Sequence, residues 1–599
     1  MVVAPPRRDP VKELIHAAFD GDSQNISLVL SNGVDANARR GPGLTAWQAA
    51  KVKGHADIMD LLAKAGADTH AGPPKAEAIL DWYVKEKVGP GSPGLALAVV
   101  RDGNLVFKQG WGMANLEYDV PITPTTVFHV ASVSKQFTAF AIARLIQQGK
   151  LSLEDDIRSS LPEMHDCGAK ITVRHLLSHT SGLRDQWMLL VLARKNNGGV
   201  VSQADVMKLL ERQRELYSNP GENFLYCNSG YTLLSEIVAK ISRKSFGDFT
   251  RDEIFEPLGM TNSHFHTNSQ EVVKNMAYSY YLSPDGGYRK ALLNYETVGA
   301  TGLYTTVEDL AKWIANFEHP KPGEAVPLTL MQQPGRLNSG EKTDYGMGLF
   351  LEDYRGVRLI QHGGADAGYR SFVLWFPDLH LGVALVSNLG SIDSREIALT
   401  AAEIYLVDKL QPIRPTSPDS ERPTIKLSAP ELERYTGKYE LYWRVTEISR
   451  VEDHLEIRED NDPPAALAAN GNDRFSMGKR KFVFQDLESG KALQFTDDWK
   501  ETFKRINVSE ERQPDLSGYA GDYWSSELEA YLRIHLRDGQ LVLELHRHGE
   551  FPLRYVGRNI FASASSQYWW FELKFQRDSK EAVTGLRLNS LLFRRCLLE

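Results

Sequence analysis

A serine and a lysine stand one helical turn apart in the stretch HVASVSKQFTAF, at the start of a predicted amphipathic helix. Ser132 and Lys135 form the pattern S-x-x-K, which places both side chains on one face of that helix. A serine hydroxyl is a weak nucleophile until a neighbouring base takes its proton, and the positive end of a helix favours the anion that develops. The pair indicates an activated serine, although S-x-x-K alone is also common on surface helices.

Two further short motifs supply polar groups later in the chain. Tyr226 and Asn228 form Y-x-N in FLYCNSGYTLL, directly before a second predicted helix. His362, Gly363 and Gly364 form H-G-G in IQHGGADAGYRS, between two strand-like stretches. Glycines at such a place let a strand edge approach a bound substrate closely. Each motif alone is compatible with a core tyrosine or a glycine-rich turn, so only the combination points to chemistry.

The order S-x-x-K, Y-x-N, H-G-G resembles that of class C β-lactamases and their relatives, which include penicillin-binding proteins, carboxylesterases and D-aminopeptidases. Residues 76 to 410 carry the resemblance. The supporting strings are ITVRHLLSHTSGL, LEDDIRSSLPEM, IFEPLGMTNSHF, ATGLYTTVEDLAKW and YGMGLFL. The resemblance implies an α+β, β-lactamase-like catalytic domain that forms an acyl-enzyme.

The resemblance also implies a role for each motif residue. Ser132 would be the nucleophile and Lys135 would keep it activated. Tyr226 would protonate the leaving group and then activate water, which requires Lys135 nearby to hold down a phenol pKa that is otherwise about 10. Asn228 would orient the substrate and the lysine. The backbone N–H groups of Ser132 and Ala365 would form the oxyanion hole.

The larger departure from the β-lactamase pattern is His362, which stands where β-lactamases and DD-carboxypeptidases carry the lysine of K-T-G. A lysine is a permanent cation that anchors the substrate carboxylate, whereas an imidazole is only partly charged near neutral pH. Histidine here resembles the D-aminopeptidase and esterase branch, with Gly363 and Gly364 completing the substrate-binding strand. The smaller departure is Cys227, often serine in this family, which is tolerated if its side chain points away from the site.

The sequence therefore predicts a serine hydrolase acting through an acyl-enzyme on a small-molecule or short peptide substrate, an amide or an ester. The closest resemblance is to D-aminopeptidases, and neither a metal nor an organic cofactor is expected. An acyltransferase or carboxylesterase using the same serine, lysine and tyrosine is one alternative. A scaffold protein with a vestigial catalytic domain is another, but the intact motifs argue against it.

Two other patterns resemble binding sites and are given structural interpretations. His175 and His179 are four residues apart in HLLSH, a spacing compatible with zinc, but no glutamate follows His175 as in H-E-x-x-H. The stretch GPGSPG, from Gly89 to Gly94, matches G-x-G-x-x-G but precedes a predicted strand, and its prolines lack the N–H groups that bind phosphate. A nucleotide site is excluded.

The N-terminal segment contains a repeat with the period of ankyrin units. Five pairs of identical residues are 33 positions apart: Ala17/Ala50, Gly21/Gly54, Leu28/Leu61, Gly33/Gly66 and Asp35/Asp68. Two units bury too little surface to be stable alone. We therefore expect this all-α pair to pack on the next domain or on a second chain, either a homodimer partner or another protein.

The C-terminal third follows the Pro-rich linker LQPIRPTSPDSERPT and alternates like short strands. PELERYTGKY and PDLSGYAGDY share five residues at an offset of 84, which predicts two related β domains. Even strand spacing favours small closed barrels. The resemblance to D-aminopeptidases implies that there are two of them, eight-stranded, antiparallel and lipocalin-like. A similar layout is seen in bacterial D-aminopeptidases, where a barrel loop reaches the active site. The predicted domains are 1–75, 76–412, 413–510 and 511–599.

Composition narrows the partners. The 599 residues are 42% apolar and 24% charged, which is typical of folded domains, and the net charge of −8 argues against binding nucleic acid. No stretch approaches the about 20 apolar residues of a membrane span, and MVVAPPRRDPVKELIH does not read as a signal peptide. The three scattered cysteines, Cys167, Cys227 and Cys596, fit a reducing compartment, although a Cys167–Cys227 bridge stays open. We expect a cytoplasmic protein without a membrane partner.

Overall fold

The computed structural model describes most of the chain and divides it into two compact units. The first comprises Met1–Gln186 and Gly198–Pro415, and the second comprises Trp187–Asn197 and Thr416–Glu599. The described residues are 9–193, 199–413, 425–441, 444–459, 463–471, 473–477, 480–488, 491–497, 502–506, 514–545, 549–557, 559–564 and 570–596. Most of the predicted linker LQPIRPTSPDSERPT lies outside them.

The first unit opens with four short helices in two pairs, α1 (Pro10–Asp20), α2 (Ser23–Ser31), α3 (Ala46–Lys53) and α4 (Ala56–Lys64). In each pair the first helix ends at a glycine in the left-handed conformation. Gly21 has φ of 74° after α1, and Gly54 has φ of 79° after α3. A left-handed cap favours glycine because other residues pay a steric cost there. The offset of the sequence repeat therefore recurs in the backbone.

A helix and a hairpin then begin the main domain, as the sequence predicts. The helices are α5 (Ala76–Lys87), α6 (Ser134–Gln147), α7 (Val173–Leu177), α9 (Gln203–Glu211), α10 (Asn228–Ser242), α11 (Phe246–Thr250), α12 (Glu256–Leu258), α13 (Val307–Glu318), α14 (Ala325–Met331) and α15 (Ser394–Tyr405). Helix α8 (Gln186–Leu192) begins at the last residue of the segment Met1–Gln186 and continues in the second unit. The strands are β1 (Leu95–Arg101), β2 (Asn104–Trp111), β3 (Met113–Asn115), β4 (Val120–Pro121), β5 (Phe128–His129), β6 (Val201–Ser202), β7 (His264–Phe265), β8 (Tyr280–Leu282), β9 (Tyr288–Lys290), β10 (Tyr295–Glu296), β11 (Leu303–Thr305), β12 (Phe350–Tyr354), β13 (Val357–Asp366), β14 (Tyr369–Phe376) and β15 (Leu381–Ser387).

A six-stranded antiparallel sheet organises this domain, in the order β12-β13-β14-β15-β1-β2. Strand β15 is buried along its whole length and β1 along all but its last residue. A strand that is apolar and buried on both of its alternating sides must be covered on both faces of the sheet. The domain is thus an α+β layer structure, and its strand β13 carries the H-G-G motif.

The N-terminal helices pack on the domain that follows them, which is the first of the two arrangements expected from the sequence. Their buried residues belong to one hydrophobic cluster with residues of α5, α15 and the six-stranded sheet. Lys53 Nζ lies 2.7 Å from a carboxylate oxygen of Glu403, a residue of α15 that is 1% exposed. Glu403 also pairs with Arg355 at 3.1 Å. The helix pairs are therefore part of the same core.

The second unit contains helix α16 (Ala429–Glu433) and two closed barrels of eight antiparallel strands, as predicted. The first barrel consists of β16 (Gly437–Leu441), β17 (Arg444–Val451), β18 (His454–Glu459), β19 (Ala465–Gly471), β20 (Arg474–Met477), β21 (Arg480–Glu488), β22 (Lys491–Asp497) and β23 (Thr502–Ile506). The second consists of β24 (Gly521–Ser525), β25 (Ala530–Arg537), β26 (Gln540–Leu545), β27 (Gly549–Gly557), β28 (Ile560–Ala564), β29 (Trp570–Arg577), β30 (Val583–Leu588) and β31 (Leu591–Arg595).

The two barrels repeat one another at the level of single hydrogen bonds. The Tyr439 hydroxyl donates to the carbonyl of Tyr435 at 2.8 Å, and the Tyr523 hydroxyl donates to the carbonyl of Tyr519 at 2.7 Å. These tyrosines belong to the sequence repeat with an offset of 84. The shared pattern therefore encodes the same buried contact at the first strand of each barrel.

Within the described ranges, no helix is both long and apolar enough to cross a membrane. Over the same ranges, no group of three or more His, Cys, Asp or Glu side chains is arranged to hold a metal ion. The three cysteines are not joined by disulfides.

Candidate active site

Ser132 lies in a tight turn that is held from several sides. It belongs to the 3₁₀ turn Ala131–Val133, immediately before α6. Ala131 has φ of 48°, a left-handed conformation that is strained for a residue with a side chain. The carbonyl of Val130 accepts a hydrogen bond from the Ser371 hydroxyl at 2.7 Å. The neighbouring chain thus fixes the turn, while Ser132 itself stays partly exposed.

Lys135 reaches back from the first turn of α6 to the serine, as the S-x-x-K spacing predicts. Its Nζ atom lies 3.1 Å from Ser132 Oγ, 2.8 Å from Asn228 Oδ1 and 2.8 Å from the carbonyl oxygen of Ala300. The side chain is completely buried. Burial lowers the pKa of Lys135 to about 7, against the opposing charge of Asp185. A large fraction of the amine is therefore neutral at pH 7.

The geometry decides where the lone pair of that neutral amine points. An amide oxygen and a carbonyl oxygen can only accept hydrogen bonds. The neutral amine therefore donates its two hydrogens to Asn228 and Ala300, which leaves its lone pair facing the hydroxyl of Ser132. In this state Lys135 can accept the serine proton.

Asp185 fixes the orientation of Asn228, and sequence reasoning missed it. Asp185 Oδ2 accepts hydrogen bonds from the Asn228 backbone N–H at 2.7 Å and from its side-chain Nδ2 at 2.9 Å. Because a carboxylate only accepts, the amide must turn its oxygen towards Lys135. The string HTSGLRDQW contains Asp185, but nothing in its local pattern connects it to Y-x-N.

Tyr226 lies beside both residues of the S-x-x-K motif. The side chain of Ser132 acts on the Tyr226 phenol by lowering its pKa, and Lys135 Nζ lies 4.9 Å from the ring centroid of Tyr226. The expectation that Lys135 holds down the phenol pKa is not met: burial raises the pKa of Tyr226 above its ordinary value, and the Ser132 side chain only partly opposes this. The reason is that both groups are buried, and burial favours the neutral form of each. Tyr226 is a protonated phenol in the resting site.

His179 supports the Y-x-N segment. The backbone N–H of Cys227 donates to His179 Nδ1 at 3.1 Å, and the imidazole ring lies 4.3 Å from that of Tyr226. Burial holds the pKa of His179 well below its ordinary value, so the ring is neutral. His175 instead caps α7, accepting from the Thr172 N–H at 3.2 Å. Both histidines therefore have structural roles, as predicted from the missing glutamate.

Strand β13 leaves one edge unpaired beside the serine. Its pairing with β12 ends at Gln361, whereas its pairing with β14 continues to Asp366. A Cβ atom on Gly364 would lie 2.3 Å from the carbonyl oxygen of Val130 and 3.2 Å from the backbone nitrogen of Ser132. Only glycine permits this approach. The H-G-G motif thus brings the strand against the turn that carries the nucleophile.

His362 is buried and carries no positive charge. Its Nδ1 lies 2.7 Å from the carbonyl of Gly363, and its Nε2 lies 3.1 Å from the hydroxyl of Tyr345. Burial and the nearby Lys135 lower the pKa of His362 to about 3. The ring therefore donates through Nδ1 and accepts the Tyr345 proton at Nε2. The partial charge expected from sequence is absent, because the site is dry and already contains an amine.

Cys227 and Ala365 are the remaining motif residues of the candidate site. The Cys227 thiol is buried and donates to the carbonyl of Leu183 at 3.4 Å. It therefore does not contact Ser132 or Lys135 through this hydrogen bond. Ala365 is exposed on β13, next to Gly364. Gly364 approaches the backbone nitrogen of Ser132, so the backbone of β13 lies beside the turn that contains Ser132.

This chain is similar in sequence to one protein family and to bacterial D-aminopeptidases. The family model described as Beta-lactamase matches residues 80–405. A D-aminopeptidase of Brucella anthropi is 26% identical over 517 residues, which cover 84% of this chain and 94% of that protein. A D-aminopeptidase of Gluconobacter oxydans (strain 621H) is 28% identical over 345 residues, covering 58% of this chain and 64% of that protein.

A solved structure shares the fold. The octameric penicillin-binding protein homologue from Pyrococcus abyssi superposes with a TM-score of 0.51 at 23% identity, and the match covers 79% of this chain and 98% of that chain. At this identity the likeness concerns the fold alone. Sequence and structure comparisons therefore agree on the fold of the domain that contains Ser132.

Proposed function

This chain belongs to the beta-lactamase family and is a serine hydrolase, and from that premise we propose that it cleaves small amides that carry a free amine, as D-aminopeptidases do. The observation that carries this choice over a β-lactam or D-Ala-D-Ala substrate is His362, which is neutral and has both ring nitrogens engaged within the protein, so it supplies no cation for a substrate carboxylate. The similarity to D-aminopeptidases of two bacteria supports the same choice.

In the proposed acylation step, Ser132 is the nucleophile and Lys135 the base. The neutral amine takes the Oγ proton while Oγ forms a bond to the substrate carbonyl carbon. The backbone N–H groups of Ser132 and Ala365 stabilise the resulting oxyanion. When the intermediate collapses, the bond to the leaving group breaks and Tyr226 gives its phenol proton to that group. The new ammonium of Lys135, over the ring of Tyr226, stabilises the phenolate.

Deacylation restores the starting protonation state of Ser132, Lys135 and Tyr226. The Tyr226 phenolate takes a proton from water, and the hydroxide attacks the acyl carbonyl carbon. The bond to Oγ then breaks, and Lys135 returns its proton to Ser132. The net change is addition of one water across the amide bond, without a redox step. Asn228 keeps the lysine in place throughout through its 2.8 Å contact.

The proposal excludes substrates that need a cation to anchor a carboxylate. Penicillins and D-Ala-D-Ala peptides present such a carboxylate, and His362 offers them neither a positive charge nor a spare donor. A buried polar group without its partner costs binding energy, so a carboxylate there is disfavoured. Gly363 and Gly364 instead offer the backbone of an open strand edge to the substrate.

Hydrolysis of a substrate panel tests this function. The panel contains D- and L-alanine p-nitroanilide, p-nitrophenyl propionate and a chromogenic cephalosporin, each offered to the wild type and to Ser132→Ala. We expect the wild type to cleave the D-anilide and the ester but not the cephalosporin, and the variant to cleave none. Cephalosporin turnover without anilide turnover would contradict the role given to His362. Faster ester consumption with an added amine or alcohol would identify an acyltransferase, and no acyl-enzyme on Ser132 would favour the scaffold alternative.

We further propose that the N-terminal helix pairs are ankyrin-type repeats, with sequence domains at 1–75, 76–412, 413–510 and 511–599. The glycine caps 33 residues apart support the repeat assignment. We propose that the two eight-stranded barrels are lipocalin-like, which their closed antiparallel order supports. The cysteines without disulfides fit a cytoplasmic location.

A further inference from the structure

Asp366, the last residue of strand β13, has one carboxylate oxygen that makes no hydrogen bond within the described residues. Asp366 Oδ2 accepts a hydrogen bond from the Thr301 hydroxyl at 3.3 Å and lies 3.2 Å from His129 Nε2. The other oxygen, Oδ1, makes no hydrogen bond to any residue that the structure describes. The side chain is 21% exposed. One oxygen is thus anchored inside the protein while the other can accept a ligand.

The anchor is rigid. His129 is 1% exposed and is surrounded by the rings of Tyr295, Tyr304 and Tyr369, with centroids 5.3 to 6.4 Å away. A ring packed in this way cannot reorient without disturbing the core. Asp366 is therefore held in one position before any ligand arrives.

Three chain segments place this carboxylate beside the catalytic centre. His129 is three residues before the nucleophile in sequence. Thr301 follows Ala300, whose carbonyl accepts from Lys135. Asp366 follows the residue proposed for the oxyanion hole, and its charge acts on Lys135 by raising the pKa that burial lowers. Each anchor of the carboxylate is therefore linked by a short stretch of chain to a residue of the catalytic centre.

We propose that Asp366 binds the α-ammonium group of the substrate residue whose carbonyl is attacked by Ser132. This assignment rests on the proposed aminopeptidase function and names what selects its substrates. In an α-amino amide the nitrogen lies about 2.5 Å from the carbonyl carbon, because only one carbon separates them. The group that recognises it must therefore be close to the nucleophile, which is where the contacts with His129 and Thr301 place Asp366.

The chemistry of the two groups is complementary. An ammonium has three donors and no acceptor, and a carboxylate oxygen makes its shortest and strongest hydrogen bonds with such a cation. The arginine of the adjacent strand does not compete, since Arg370 donates to the backbone carbonyls of Ala367 and Tyr369. A substrate with an acylated amine would leave Oδ1 of Asp366 without its cationic partner and is selected against.

The test compares two substrates with the same three-carbon acyl group. D-alanine p-nitroanilide carries the ammonium, and p-nitrophenyl propionate does not. For Asp366→Asn, which keeps the size and removes the charge, we expect the ratio of kcat/KM for the anilide to kcat/KM for the ester to fall at least about tenfold. Most of the fall should be in KM, because the ammonium is present before and after attack.

Asp378→Asn is the matched control, because it removes one carboxylate charge from an exposed residue of the same domain. We expect it to leave both substrates unaffected. If Asp366→Asn lowers both kcat/KM values by the same factor, Asp366 only supports His129 and the subsite is refuted. If the wild type cleaves anilides and the ratio does not move, the subsite is refuted while the aminopeptidase function stands.

A wild type that hydrolyses the ester and no free-amine amide would overturn the aminopeptidase function and the subsite together. Thermal denaturation of each variant shows whether it is folded. Should Asp366→Asn fail to fold, Thr301→Val offers the second variant, since it removes only one hydrogen bond from the carboxylate. We then expect a smaller fall in the same ratio.

Discussion

At the scale of single residues, Lys135 and Tyr226 lie together, and burial shifts their pKa values in opposite directions. The pKa of the amine falls to about 7, while that of the phenol rises above its ordinary value. The proton between them therefore rests on the phenol at neutral pH. This order of pKa values supports the proposed roles, in which Lys135 is the base and Tyr226 is the acid.

The pH dependence of acylation follows from this assignment. A base works in its deprotonated form, so kcat/KM for p-nitrophenyl propionate should rise with pH and be half-maximal near pH 7, the pKa of Lys135. The falling limb should lie above about pH 10, because Tyr226 must keep its proton. Initial rates corrected for spontaneous hydrolysis measure the profile. A profile that is flat from about pH 6 to 9 would contradict the role of the lysine.

The Tyr345 hydroxyl is the donor that satisfies the buried His362. Tyr345→Phe leaves Nε2 without a partner in a dry site, which should lower the free energy of unfolding by about 1–3 kcal/mol. Urea denaturation followed by ester activity measures the loss. Tyr118→Phe is the control because Tyr118 is 78% exposed, and its stability should not change. Equal stability of the two variants would show that the hydrogen bond to His362 contributes nothing.

At the scale of elements, strand β13 and the turn before α6 lie against one another at the candidate active site. The pairing of β13 with β12 ends at Gln361, before the part of β13 that lies beside Ser132. Its Gly364 lets it lie against Val130 and Ser132. The site therefore depends on how closely two backbones approach, in addition to its side chains.

Gly364→Ala tests this approach. The added Cβ would overlap the Val130 carbonyl and press on the Ser132 nitrogen, and a displacement of about 1 Å at such a place lowers activity by about 100-fold. We expect kcat for p-nitrophenyl propionate to fall by that order. In the matched variant Gly363→Ala, the Cβ meets the edge of the Phe372 ring at 3.2 Å, and a ring can shift. Its loss should be much smaller; similar losses would refute the backbone argument.

The sequence predicts those site residues that are close together along the chain or that belong to a recognisable motif. Ser132 and Lys135 come from one helical turn. Asp185 and Tyr345 were not predicted, because each meets its partner only through tertiary contacts. The sequence also could not predict that the pKa of Lys135 falls below that of Tyr226, because these shifts are caused by burial and a sequence motif does not show which side chains are buried.

At the level of elements the sequence was more informative. It predicts the helix α5, the hairpin of β1 and β2, and two small closed barrels, each from periodicity or an internal repeat. The count of eight strands in each barrel comes from the resemblance to D-aminopeptidases. The pairing of β13 beside the serine was not predicted. Strand neighbours that are distant in sequence depend on the whole sheet, so a local pattern leaves them undetermined.

At the scale of the whole molecule, a buried charge cluster joins the N-terminal helices to the catalytic domain. Glu403 binds Lys53 at 2.7 Å and Arg355 at 3.1 Å, and its carboxylate also accepts from the Tyr354 hydroxyl at 2.8 Å. Glu403 is almost inaccessible. A carboxylate in such a place is tolerated only because its partners are present.

Glu403→Ala should destabilise the first unit by about 3–5 kcal/mol, because it leaves two cations without their shared partner. The temperature at which ester activity is lost measures the effect. Lys87→Ala is the control, because it removes a pair with Glu396 whose side chains are 38% and 41% exposed, and such pairs contribute about 0–1 kcal/mol. A midpoint for Glu403→Ala as high as that of the control would contradict the importance of this cluster.

One hydrophobic cluster is shared by the N-terminal helices, α5, α15 and the six-stranded sheet. This sharing affects how the first unit unfolds. Segments that share one core cannot open one at a time without exposing apolar surface on both sides. The helix pairs and the hydrolase domain should therefore melt as one cooperative unit. Amide hydrogens of α1 and α3 should exchange with solvent at the same slow rate as those of β15, even though the helices lie outside the catalytic segment of the chain.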